Sequence, residues 1–153
     1  MIRKLLAAPT LALLAGGALA APPDACGILK PEEVNQVASG KVEQTQRQKT
    51  GNPSQCGFLD SRRAAILVVT LREVQYAVKD ELQQERDSLQ KIYKMKAKEL
   101  DGVGDGGFWM PANHQLTFRK GKVIASLTFA TPGNQNELDT AILARLVDSR
   151  LKK

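Results

Sequence analysis

The sequence predicts a small α+β domain with its elements in the order α-β-β-β-α-β-β-β-α. Two pairs of alternating or apolar strand-like runs flank short polar turns, "CGFLD…AAILVVTLR" and "HQLTF…KVIASLTF". Segments with helical spacing precede, separate and follow them. Two cysteines, Cys26 and Cys56, complete the pattern of a compact domain stapled by one disulfide, the only intramolecular pairing an even count of two allows.

The first helix is signalled by "CGILKPEEVNQVASGK". Pro31 sits in the first turn, Glu32 and Glu33 suit the positive end of the helix, Leu29 is spaced to staple onto Val34, and Gly40 ends the segment. "VEQTQRQ" follows as a polar edge strand, and "KTGNPSQ" is rich in turn formers. The hairpin around "SRR" comes next, its second arm apolar on both faces from Ile66 to Val69, as in a central covered strand.

From about Tyr76 to Leu100 the spacing turns helical, with Val78, Leu82, Leu89, Ile92 and Tyr93 on one stripe. Lys91, Lys94, Lys96 and Lys98 gather near its C-terminal half, read as a solvated face, with an anion-binding patch as the alternative. "FWMP" reads as extended. The second hairpin then encloses "RKG", with Val123, Ala125, Leu127 and Phe129 alternating toward a core. In the last helix Asn134 is the expected cap, Glu137 stands three residues on, and Leu138, Ala141, Ile142 and Leu146 are expected to face inward. A shift of 58 positions superposes "FLDSRRAAILVVTL" on "LTFRKGKVIASLTF", matching Val69 to Leu127, which is consistent with an internal duplication.

The segment "ELDGVGDGGFWMP" carries Gly102, Gly104 and Gly107 at the GxGxxG spacing. A dinucleotide cradle needs a buried strand before it and a helix opening after it. Here the preceding stretch reads as helix and Pro111 bars a helix interior after it. The expected role of Gly102, Gly104, Asp105 and Gly107 is therefore a structural turn, beginning with a helix cap at Gly102. Asp101 and Asp105 are too few for a calcium cage.

The first twenty residues read as a signal peptide: "MIRK" is basic, Leu5 to Leu19 is apolar, and "ALA" precedes Ala21. Cleavage there leaves residues 21–153 as one domain and removes two of the 22 basic residues, lowering the net charge from +6 to +4. The expected location is periplasmic or secreted, with no membrane span after cleavage. An exported basic domain meets anionic envelope polymers, lipid headgroups and acidic proteins, not nucleic acid. No GxSxG, HExxH or P-loop occurs, and His114 is the lone histidine. Neither a cofactor nor a metal is expected. Asp60, Asp101 and Asp105 are carboxylates whose pairing sequence leaves open.

"CGILKPEEV", the second Cys in "CGFLD", and "LDGVGDGGFW" together resemble a family of secreted bacterial proteins of unknown function, itself similar to the extracellular sensor domain of mycobacterial Ser/Thr kinases and related cell-envelope lipoproteins. The lipid-bearing Cys of those lipoproteins has no counterpart here. The resemblance implies a curved antiparallel sheet with helices packed on one side, a Cys26–Cys56 bridge near the first helix, and a non-catalytic binding or sensing role. Three classes follow: an envelope binding or accessory module using a sheet face or cleft; an inhibitor or partner-capture domain presenting Arg62, Arg63, Arg119, Lys120 and Lys122 to an acidic protein; and a hydrolase with an unrecognised site. Trp109, beside Phe108 and Met110, is a candidate for an exposed groove, the alternative being that it closes over the core.

Overall fold

The structure is a computed structural model and describes residues 22–74, 79–130 and 137–151. The expected signal peptide, Val78 and the expected cap Asn134 lie outside the described residues. Among the described residues seven strands form one open antiparallel sheet. They are β1 (Gln44–Lys49), β2 (Ser54–Leu59), β3 (Ala65–Glu73), β4 (Lys98–Leu100), β5 (Gly106–Met110), β6 (Gln115–Lys120) and β7 (Val123–Phe129), in spatial order β1-β2-β3-β7-β6-β5-β4. The helices are α1 (Pro31–Asn35), α2 (Lys79–Tyr93) and α3 (Glu137–Arg150), with a 3-10 turn at Pro111–Asn113. The element order is the expected one, with the short edge strand β4 added.

The expected 58-residue offset has a geometric counterpart at the centre of the sheet. Val69 of β3 lies directly opposite Leu127 of β7, Leu67 opposite Phe129 and Leu71 opposite Ala125. Val69 thus faces its own equivalent, and Leu67 and Leu71 each face the equivalent of the other, which places an approximate two-fold axis through the Val69–Leu127 pair. The outer strands follow: β2 and β6 flank the centre, then β1 and β5. Phe58 and Phe118 occupy equivalent places opposite Leu67 and Ala125, because the first hairpin turn is two residues longer than the second.

Alternation assigns the two faces of the sheet different neighbours. On one, Cys56, Phe58, Leu67, Val69, Leu71, Leu116, Phe118, Ala125 and Leu127 form the core with Leu29 and Val34 around α1 and Leu143, Ala144, Val147 and Leu151 around α3. The Cys26–Cys56 disulfide closes beneath this layer. Arg150 of α3 clasps Glu33 of α1 through two bonds of 2.8 and 2.6 Å and also donates to the Ile28 carbonyl, tying both ends of the chain together. That clasp holds the Glu33 carboxyl down at about 2. On the other face Glu85 of α2 accepts hydrogen bonds from Gln115 and Thr117, and Arg72 reaches Glu81 and Glu85. The expectation that helices pack on one side therefore holds for α1 and α3, while α2 crosses to the opposite face.

Two helix faces depart from the expected stripes. α2 stops at Tyr93, where Lys94 enters the left-handed region (φ 54°), and the chain turns back into β4 beside β5. Ile92 and Tyr93 are consequently exposed. In α3, Ala141 is buried and Leu146 packs against the core as expected, while Leu138 and Ile142 are exposed and Thr140, Leu143, Ala144 and Val147 are buried. The inward face is thus turned away from Leu138 and Ile142, and both directions fit a 3.6-residue period.

Candidate functional site

The sheet face opposite the core carries a row of hydrogen-bonding side chains running across the strands. Gln55, Thr70, Ser126 and Thr117 occupy directly opposed positions on β2, β3, β7 and β6. Thr70, Ser126 and Thr117 each stand between apolar neighbours whose side chains point the other way, as in "VTL", "ASL" and "LTF". With strands about 4.8 Å apart, the row is roughly 14 Å long. It ends at Phe108, the β5 position opposite Thr117, which is buried.

The groups are bonded in two sets. Gln55 Nε2 donates to Thr70 Oγ1 at 3.1 Å, and the Thr117 and Ser126 hydroxyls lie 3.1 Å apart. Gln115 donates to Thr117 Oγ1 at 2.8 Å and to Glu85 at 3.2 Å, and Asn113 donates to Gln115 at 2.7 Å. Arg72, on the same face one pleat from Thr70, donates to Glu81 at 2.6 Å and Glu85 at 3.2 Å. Glu81 and Glu85 are one helical turn apart, so a single guanidinium spans both. Arg72, Glu81, Gln84 and Glu85 line an open hollow of about 440 Å³ beside the row.

Coverage of this face is unequal. α2 lies over β5 and β6, where it buries Phe108. Gln55, Val68, Thr70, Arg72, Ser126 and Thr128 are only half-buried, and α2 meets this side of β3 at Arg72, which bonds Glu81 and Glu85. The result is an array of amides and hydroxyls, with one cation and two carboxylates at its edge, open on one side and walled on the other. Such an array can hold a polar ligand by several hydrogen bonds at once.

The residues expected from sequence are distributed differently. Arg62 and Arg63 are exposed on the β2–β3 turn, whose backbone is fixed by Asp60 Oδ1 accepting from the Arg62 and Ala64 amides, both at 2.8 Å. At the β6–β7 turn Lys120 is paired with Asp148 of α3 at 2.8 Å, which raises its pKa. Arg119 projects to the opposite face from Lys120, and Lys122 is exposed. Because β3 and β7 run antiparallel, the two basic turns sit at opposite ends of the sheet, separated by the length of a nine-residue strand, roughly 30 Å. They form no single basic surface. Trp109 is only 5% exposed and belongs to the core, with its ring edge-on to His114 at 6.3 Å, so it lines no open groove.

The glycine segment joins β4 to β5 as a hairpin loop, which corrects the expected helix cap at Gly102: a strand, not a helix, precedes it. Gly102 and Gly104 do take positive φ (75° and 59°), and a Cβ on Gly104 would lie 2.2 Å from the Arg119 carbonyl. Gly107 is similarly closed in by the Thr117 carbonyl. The Asp105 amide donates to the Arg119 carbonyl, and its carboxylate accepts from the Gly121 amide at 2.7 Å, so this loop braces the second hairpin turn. β5 follows the loop, and a phosphate there would meet no helix N-terminus.

Asp60 and Asp105 thus cap turns, and the carboxylates brought together are Glu81 and Glu85, whose four-residue spacing was the available signal. Among the described residues, no group of three His, Cys, Asp or Glu is arranged to hold a metal ion, and no helix is long and apolar enough to cross a membrane. No protein-family model matches the chain, and no curated protein matches it.

Proposed function

We propose that this protein is a non-catalytic binding or accessory domain of the cell envelope, periplasmic or secreted, that holds a polar ligand on the open sheet face. The observation that carries this reading is the aligned row Gln55, Thr70, Ser126 and Thr117, of which the first three are half-buried while Thr117 is buried beside α2. The basic signal-like start, the disulfide and the likeness of "CGILKPEEV" and "LDGVGDGGFW" to envelope sensor domains support an exported setting. Arg72 between Glu81 and Glu85 leaves this cluster with one net negative charge, which suits a hydroxyl- and amide-bearing envelope glycan better than a polyanion. Both carboxylates accept from Arg72, an arrangement that orients side chains and does not activate a nucleophile.

A second reading, capture of an acidic protein, draws on the exposed Arg62–Arg63 turn. Titration of isotope-labelled protein with soluble peptidoglycan fragments, followed by amide NMR, separates the two. The binding-face reading expects shifts at Gln55, Thr70, Arg72 and Ser126. Fragments that leave these amides unmoved overturn it, and fragments cleaved during the titration establish a hydrolase instead.

A further inference from the structure

Away from the sheet face, α2 ends in the sequence "KIYKMKAK", Lys91 to Lys98, and this turn exposes an unusual combination of side chains. Ile92, Tyr93 and Met95 are 65, 41 and 45% exposed. Large apolar side chains exposed in sequence neighbours are uncommon unless a surface covers them. Lys91, Lys94 and Lys96 are exposed between them and make no ion pair among the described residues. The turn is held in shape. Lys94 adopts a left-handed conformation, and Gln90 Oε1 accepts from the Ala97 amide at 2.9 Å, closing the reversal. Lys98 then reaches Glu137 at the start of α3 at 2.6 Å, joining this turn to the stretch that exposes Leu138 and Ile142. These five are the exposed large hydrophobic residues among those described.

We infer that this turn is a peripheral docking surface for an anionic lipid bilayer. The occupant follows from charge and shape together. Three unpaired ammonium groups interleaved with Ile, Tyr and Met match a surface whose outer layer is negatively charged and whose next layer is apolar. The lysine stems cover hydrocarbon while their heads reach phosphate, and Tyr93 places an apolar ring at the boundary with its hydroxyl in the headgroups. A folded protein partner would need acidic groups spaced between apolar pockets, whereas a bilayer supplies both layers everywhere. No residue of the polar row takes part, so this inference stands or falls apart from the ligand-binding reading.

The test is co-sedimentation of the folded protein with vesicles of phosphatidylcholine alone or mixed with phosphatidylglycerol, at low and physiological salt. Binding is expected only to the mixed vesicles and should weaken with salt, as surface-charge attraction does. The variant Ile92→Ser/Tyr93→Ser/Met95→Ser and the variant Lys91→Glu/Lys94→Glu/Lys96→Glu should each bind at least tenfold more weakly. Because these side chains are exposed, both variants should melt within a few degrees of the parent. Equal binding to neutral vesicles, no binding to either kind, or full binding by both variants overturns the inference. Sedimentation velocity supplies the remaining arm: a dimer of the parent that the serine variant abolishes, with no vesicle binding, assigns the surface to a second copy of the chain and also overturns it.

Discussion

The two faces of the sheet are made by the same strands, yet they have opposite chemistry. On β6, Leu116 and Phe118 enter a dry core under α3, while Thr117 between them turns to a polar row beside α2. On β3, Val69 and Leu71 do the former, Thr70 and Arg72 the latter. On β6 burial does not explain the difference, because Thr117 is as inaccessible as Phe118, whereas on β3 Thr70 and Arg72 are half-buried. What differs is the means of stabilisation. One face gains from apolar area and shape, the other from two sets of hydrogen bonds whose net contribution per bond is modest. Antiparallel sheets commonly keep one face polar, and the half-open state of this one fits the ligand-binding use proposed for it.

Substitutions on adjacent residues sharpen this contrast. Phe118→Ala should cost about 3–5 kcal/mol in chemical denaturation, since it empties a fully buried site at the centre of the core. Reducing the Cys26–Cys56 bridge, which spans 30 residues on the same face, should cost about 3 kcal/mol, read as a shift in urea midpoint with and without reductant. Thr117→Val keeps the shape, removes the hydroxyl shared with Ser126 and Gln115, and should cost only about 1 kcal/mol. A Thr117→Val loss as large as that of Phe118→Ala would erase the distinction between the faces.

The acid response should also belong to the core side. Glu33 is held at about 2 against an ordinary 4.5, chiefly by its hydrogen bonds from Arg150. A carboxyl with a depressed folded pKa contributes stability above its unfolded value, and that contribution fades as pH falls from about 4.5 toward 2. With both partners partly solvated, about 1 kcal/mol should be lost over this window, and Glu33→Gln should flatten that part of the stability profile. A variant whose acid profile matches the parent would show that the clasp between α1 and α3 adds nothing.

Much of the fold was legible because local patterns and tertiary packing agree. Pro31 opens α1, Leu29 and Val34 are buried as the staple spacing indicated, and the alternation of Val123 to Phe129 marks β7. The 58-residue offset was legible because both hairpins repeat the same alternation, and its central pair, Val69 and Leu127, lies directly opposed in the sheet. Where two helical stripes were equally periodic, in α3, the sequence could not choose between Ile142 and Leu143. The end of α2 was obscured by lysines that favour helix, although Lys98–Leu100 pairs with β5 just across the glycine hairpin loop. The polar row was invisible for a different reason: Gln55, Thr70, Ser126 and Thr117 are spread along the sequence, and only the registers of three strand pairs align them. Sequence equivalence of the two basic turns left their distance open, and the approximate two-fold axis sends them to opposite ends of the sheet.

The central claim is that one face of this sheet folds the protein and the other binds its ligand. The double variant Gln55→Ala/Thr70→Ala tests it most directly, because both side chains are half-buried on the uncovered part of the row and bond to each other. Calorimetric titration with peptidoglycan fragments, paired with thermal melts of the same samples, should show affinity reduced at least tenfold while the melting temperature shifts by only a few degrees. Unchanged affinity in a folded variant would contradict the account.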